Sequence, residues 1–322
     1  MLARRHFVAI AALVAFTGPA AAGEWPDKPV RIIYPYAAGG AADVTARLIA
    51  RRLSDRFGQP FIIENRAGAN GVIATNAVAR SAPDGYTLLW AVTPQIAIAP
   101  AMSKVPYDPK RDFVSISAVC TNRFALLVNA GVPVRTVPEF VAYARAQPKG
   151  FTYAEGGAGS ITHLSMVLLL NRAGLSGTNV TYKSSMLALT DVMAGHLPAM
   201  FGVFGDALSQ ANSGVVRLLA VSSEQRSAQA PDLPTVAESG FPGFKTMSWW
   251  GLMAPAGTPK SIVDRIAAEV SDATRDAEIV ERLTAFGVDP LGNSPAEFSA
   301  MVRADIELWA HAVKLAGLHA PE

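Results

Sequence analysis

The chain has one cysteine in 322 residues, Cys120, which excludes an internal disulfide and a thiolate zinc site. Cys120 closes the apolar stretch 113–119, where a thiol packs as a small, inert hydrophobe. Histidine is nearly as scarce: there are five, none paired at metal-ligand spacing, so no metal or other cofactor is expected. Charged residues make up only 17%, and no basic cluster marks a surface for nucleic acid or an anionic membrane. Enzyme fingerprints are missing as well. Gly159-Ser160 lacks the flanks of a Gly-x-Ser-x-Gly elbow, and Gly157-Ala158-Gly159 is followed by Ser160, Ile161 and Thr162 instead of the third glycine of a dinucleotide turn. No later apolar run reaches the roughly 20 residues of a membrane span. Tandem repeats and low-complexity tracts are absent. These absences point away from catalysis and toward binding.

The N-terminus sets the expected compartment. Arg4 and Arg5 precede the apolar run 7–16, and Pro19-Ala20-Ala21-Ala22 supplies small residues for cleavage, so 1–22 reads as a cleaved export signal and the mature chain as periplasmic. The basic pair suits a general secretory or a twin-arginine route. Signal removal takes two of the 28 basic residues and none of the 26 acidic ones, leaving a neutral balance. About 300 residues, half of them apolar, are enough for two domains.

Twice an apolar, strand-like run ends in a diglycine turn that opens into a helix: residues 30–43 (VRIIYPYAAGGAAD) and 151–163 (FTYAEGGAGSITH). The first N–H groups of a helix have no internal partner, the helix dipole adds positive potential there, and glycine lets a ligand approach the backbone. Two such turns, more than a hundred residues apart, suggest two lobes that each offer a helix start to one small anion. Asp43 reads as a helix cap, because a carboxylate stabilises a helix N-terminus but repels an anionic ligand. His163, without a partner motif, reads as structural.

Strands are expected at 30–36, 61–64 and 87–92, alternating with helices at 43–57 and 71–80. A second set follows: strands 124–129, 151–154, 180–182, 199–203 and 215–222, with helices 137–146, 162–173 and 186–195. Such alternation predicts an α/β fold with βαβ units and mainly parallel sheets, whose ligands bind at the carboxyl ends of the strands. Those ends carry Tyr36 to Gly40 and the stretch 92–95. Lobe 1 is expected at 23–123 and 223–322, and lobe 2 at 124–222. In the tail, Thr258-Pro259 predicts a capped helix start, with Ile262, Ile266 and Val270 on one stripe. Ser294-Pro295-Ala296-Glu297 predicts a capping box. This helical tail is expected beside the first lobe.

The mature chain resembles the Bug family of periplasmic receptors associated with tripartite tricarboxylate transporters. The motifs that carry the resemblance are Trp25-Pro26-Asp27-Lys28-Pro29, the turn at 35–43, Glu64-Asn65-Arg66-Ala67-Gly68-Ala69-Asn70-Gly71 and Asp84-Gly85-Tyr86-Thr87. Tyr107-Asp108-Pro109, the turn at 153–163, Pro234-Thr235-Val236-Ala237-Glu238, Trp249-Trp250-Gly251-Leu252 and Ala254-Pro255-Ala256-Gly257-Thr258-Pro259 complete it. The resemblance implies a two-lobed, type II-like periplasmic binding fold that closes on a small organic carboxylate. It also implies membrane permease subunits as partners and a monomeric receptor, with no role for nucleic acid. A receptor signalling to a membrane sensor would have the same sequence features.

The expected ligand contacts are Tyr36, Ala38, Gly39, Gly40, Ala41, Thr93 and Gln95 from one lobe. From the other they are Glu155, Gly156, Gly157, Gly159, Ser160, Thr162, Tyr182, Ser184 and Phe204. Three departures from the family pattern bear on specificity. Ala41 and Ala42 stand where a hydroxyl often precedes the aspartate, Ser184 replaces a usual glycine, and Glu155 replaces a small residue. Facing the cleft, Glu155 would repel a second carboxylate and favour an amine, amide or hydroxyl. Facing solvent, it would have no bearing on the ligand.

Overall fold

The computed structural model describes residues 24–318, so the export signal expected at 1–22 lies outside the described residues. The first half runs β1 (Val30–Tyr34), α1 (Ala41–Phe57), β2 (Phe61–Asn65), α2 (Val72–Ala79), β3 (Thr87–Val92), a wide helical turn at Pro94–Ile98 and α3 (Ala99–Met102). A 17-residue strand, β4 (Phe113–Asn129), then leads to α4 (Val137–Arg145), β5 (Phe151–Glu155), α5 (Ile161–Arg172), β6 (Gly177–Thr181) and α6 (Ser185–Met193). The chain continues through β7 (Ala199–Val203), α7 (Phe204–Asn212), β8 (Val216–Val221), β9 (Met247–Pro255), α8 (Lys260–Ala273), α9 (Ala277–Ala285), β10 (Val288–Pro290) and α10 (Pro295–Leu315).

Parallel pairing occurs where strand and helix alternate: β1 with β2 and β3, and β5 with β6. The remaining pairs are antiparallel, so the sheets are mixed. β9 runs between β3 and β4, while β10, β7 and β8 pair along β4. β4 is the structural axis. Its residues 113–123 pair with β9, and its residues 124–129 pair with β7 and β8. The sequence pattern gave only its second half, 124–129, as a strand, because Thr121, Asn122 and Arg123 interrupt the apolar run. They lie between the two cores, where no hydrophobic face is required.

Side chains alternate along each strand, as the two-residue period demands. On β1, Ile32 and Tyr34 join α1 and α8 on one face, while Ile33 joins α2 and the start of α10 on the other. On the far half of β4, Phe124, Leu126 and Val128 face α4 and α5, and Ala125 and Leu127 face α6 and α7. Helix α1 buries Ala46, Ile49, Ala50 and Leu53, while Val44 is 41% exposed. Cys120 is fully buried, and burial pushes its thiol well above the ordinary range, in keeping with an inert role.

Two expectations about the tail need correction. The Thr258 hydroxyl donates to the Pro255 carbonyl at 2.8 Å, closing the preceding turn, so Pro259 takes the cap position of α8 with no side-chain cap. Helix α10 starts with the expected capping box of Ser294 and Glu297, yet it packs beyond the side chains of β1 and β3. Phe298 and Val302 pack with β1 and β3 side chains, whereas Trp309, Ala312 and Val313 pack with Phe140, Phe151 and Leu164. One helix thus fastens both cores.

Midway along α10, Asp305 accepts the Trp249 indole N–H at 2.8 Å. Burial pushes its carboxyl up to about 6, against the opposing pull of the Trp249 hydrogen bond and Lys245. The folded protein therefore holds this proton to a higher pH than the unfolded chain does. Stability from this group is full below the unfolded value near 4 and declines as pH rises toward 6. Asp305→Asn is expected to stabilise by on the order of 2 kcal/mol at pH 7 and by almost nothing at pH 4. Thermal unfolding of both proteins at the two pH values checks this, and an unchanged difference between them contradicts it.

Candidate functional site

The first turn leaves β1 through Pro35 and Tyr36. Ala38, Gly39 and Gly40 are exposed, Ala41 is half-buried, and Gly39 has φ +102°, a conformation that L side chains rarely adopt. Helix α1 begins at Gly40 without a side-chain cap, which leaves its first N–H groups open. Asp43 organises this start from behind. Its buried carboxylate accepts from the Gly39 N–H at 3.1 Å, from Arg47 at 3.0 and 3.1 Å, and from the Asn65 amide at 3.0 Å. Burial alone would raise its pKa. The hydrogen bonds from Arg47, Asn65 and Gly39 outweigh burial and hold the carboxyl below the ordinary range. Asp43 is therefore a scaffold for the turn and not the helix cap that its sequence position suggested, since it accepts from Gly39 ahead of the helix and α1 has no side-chain cap.

Tyr36 lies behind the turn, its hydroxyl 3.5 Å from both the Gln95 side-chain oxygen and the Asn70 carbonyl. Burial raises its phenol pKa, and Tyr34 and Tyr107 add to the shift. Gln95 is fully buried: its amide donates to the Trp90 carbonyl at 3.3 Å and its backbone carbonyl accepts from Tyr107. Thr93 is also buried, with its hydroxyl accepting the Trp249 N–H at 2.9 Å. It ties β3 to β9 and presents no free face to a ligand, contrary to expectation. Against this group packs a loop that sequence reasoning quoted only as a family motif. Ala69 and Asn70 have φ of 46° and 51°, and a Cβ at Gly71 would stand 3.0 Å from Pro35 Cβ. Positive φ at two non-glycine residues is stored strain of the kind that gathers around binding sites.

The second turn is built differently. Glu155 ends β5 with no exposed surface and folds back onto its own chain. Its carboxylate accepts the Gly157 N–H, the Thr181 hydroxyl at 2.5 Å and the Asn179 amide at 3.3 Å. Neither expected orientation, toward the cleft or toward solvent, is the one adopted. The other turn donors are also engaged. Gly156 N–H reaches the Thr162 hydroxyl at 3.2 Å, Gly159 N–H reaches His163 Nδ1 at 3.1 Å, and Ser160 N–H reaches the Gly157 carbonyl at 2.8 Å. Ser160 caps α5 by accepting the His163 N–H. Burial lowers the His163 pKa although the Glu155 charge pulls it upward. With Nδ1 accepting, the neutral ring carries its proton on Nε2.

Three further expected contacts are turned to other work. Phe204 is 1% exposed in the core beneath α6 and α7, so it is no cleft wall. The Tyr182 hydroxyl is bound to Asp191, which also meets His196, on the outer side of α6. Ser184 caps α6 by accepting the Leu187 N–H. Both turns nevertheless connect through one element missed in the sequence. The segment 94–102 carries Gln95 beside Tyr36 at one end. Its other end places Met102 where a Cβ on Gly159 would come within 2.3 Å of the sulfur. The polar stretch 93–95 read as a strand end, which concealed the helix beyond it.

A surface cavity of about 690 Å³ lies elsewhere, between α7 and residues 229–233. Its cation, Arg217, is already engaged by the carbonyls of Val132 and Val134. Its lining includes no buried polar side chain, whereas the first turn is anchored by the buried Asp43. Among the described residues no group of side chains is arranged to hold a metal ion.

Known proteins resemble this chain along most of its length. Residues 45–318 match the model of the tripartite tricarboxylate transporter family receptor. The protein BugT of Bordetella pertussis is 34% identical over 313 residues, covering 97% of this chain and 95% of BugT. Among solved structures, R. palustris Rpa4515 with adipate superposes with a TM-score of 0.75 at 34% identity, covering 93% of this chain and 100% of that one. The periplasmic binding protein BugD gives 0.71 at 32% identity, covering 92% and 99%.

Proposed function

The chain belongs to the tripartite tricarboxylate transporter receptor family, and from that premise we propose that it is a periplasmic receptor for a small organic carboxylate. The observation that carries the reading is the uncapped start of α1, an open set of backbone donors held in place by Asp43. A carboxylate seated there accepts the N–H groups of Ala38, Gly40, Ala41 and Ala42, Gly39 being held by Asp43, and gains from the helix dipole. The adipate bound to the R. palustris relative is a ligand of the same chemistry.

In this reading residues 23–123 and 223–322 form one lobe and 124–222 the other, with β4 as one of the strands that joins them. Ligand binding draws the second turn toward the first, and the closed form presents the surface that a membrane permease recognises. Residues 1–22 direct export and are removed on translocation, and the receptor works without cofactor or catalysis. A thermal-shift screen of the exported protein against dicarboxylates, amino acids, aromatic acids and amides tests the reading. A ligand at a hundredfold its dissociation constant stabilises by about 2.7 kcal/mol. Absence of any carboxylate hit, or consumption of the compound, would contradict it.

A further inference from the structure

We infer that a cavity between the two cores is a second binding site, separate from the first turn, and that it takes a small organic amine whose ammonium group sits against Asp305. The inference stands apart from the carboxylate reading, because none of the residues that line this cavity belongs to either turn. The cavity has a volume of about 290 Å³ and lies where the chain passes from one core to the other. Arg123 comes from the polar middle of β4, Glu224 follows β8, Lys245 and Met247 lead into β9, and Asp305 lies midway along α10. Phe244 packs in the second core and Trp249 in that of β1 and β3, so the crossing falls between them. An occupant therefore touches β4, the connection from β8 to β9, and α10 at once.

Charge sets what the cavity accepts. Of the four charged side chains in its lining, three have ion partners: Lys245 meets Glu224 at 3.2 Å, and Arg123 meets Asp289. Asp305 forms no ion pair among the described residues. It accepts the Trp249 N–H, while the Trp309 N–H draws on the same carboxyl without completing a hydrogen bond. A carboxylate withdrawn from water with no opposite charge beside it is unfavourable. At neutral pH it lowers the stability that Asp305→Asn is expected to restore, and side chains kept at such a cost gather at functional sites. An ammonium group supplies the missing charge together with a charge-assisted hydrogen bond. Met247, Trp249, Leu291 and Met301 give the same cavity an apolar wall, which suits an alkyl chain better than a hydrated metal ion.

Calorimetric titration of the exported protein with pentylamine and with pentanol, which share a chain and differ in charge, tests this. At pH 7.5 the amine should bind at least about tenfold more tightly than the alcohol. Its affinity should fall about tenfold at pH 5, because the ammonium needs an ionised Asp305 and burial pushes that carboxyl up to about 6. Asp305→Asn should bring the two affinities within about threefold and remove the pH dependence. That variant leaves Arg123, Glu224, Lys245 and Asp289, the other charged groups around the cavity, in place. Gly39→Val, which disturbs the first turn, should leave the amine's affinity unchanged. An amine that does not bind, or binds no more tightly than the alcohol, overturns the inference and leaves the carboxylate receptor standing. So does a preference that Asp305→Asn does not move, or one that Gly39→Val removes. The preference and pH profile of the unmodified protein decide if the variants do not fold.

Discussion

Gly39→Val is expected to weaken carboxylate binding by about 100-fold while lowering stability by only about 1–3 kcal/mol. Space is not the obstacle, because a Cβ at this position would meet nothing within 4 Å. The obstacle is φ +102°, which a β-branched residue cannot hold without strain. Relief comes from rotating the peptide, and rotation takes the Gly39 N–H off Asp43 and misaligns the donors that follow. Gly174→Val is the matched control. Gly174 has φ +66° and equally open surroundings, but it follows α5 at the end remote from the turn. Its variant should share the loss of stability and keep the affinity. Titration with the best carboxylate ligand checks both, and equal affinity losses in the two variants would show that the effect is global.

Trp309→Ala should produce the largest loss of stability, about 3–5 kcal/mol, or roughly 10 °C in melting temperature. Trp309 is fully buried and lies on the half of α10 that packs into the second core. Removing it leaves a cavity where the helix is fastened to that core, while Phe298 and Val302 still hold its first half. Trp309→Phe should recover most of the loss, since it restores most of the filled volume. Denaturant unfolding of the three proteins checks the order, and an alanine variant as stable as the parent would contradict the fastening role.

The local parts of this molecule were legible because they obey local rules. The two diglycine turns, Gly58 as a left-handed helix end, the Ser294 capping box and the strand Thr87–Val92 each follow from a few adjacent residues. The parts that escaped depend on residues distant in sequence. Only the second half of β4 looked like a strand, because its polar middle lies between cores. Thr93 looked like a ligand group because the backbone it serves, at Trp249, is 156 positions away. Glu155 admitted two orientations, and the actual one required knowing that β6 brings Asn179 and Thr181 alongside β5. Tyr182 was drawn to the site by family pattern and Phe204 as an aromatic wall, whereas packing turned one toward Asp191 and the other into the core.

The most direct test of the central claim is the amide spectrum of isotope-labelled protein titrated with its tightest carboxylate. The account predicts that the largest shifts fall on the N–H groups of Ala38, Gly40, Ala41 and Ala42. Gly157, already bound to Glu155, should move less. Silence across residues 38–42, with shifts gathered instead around the cavity at Arg217 and Asp232, would place the ligand elsewhere and contradict the account.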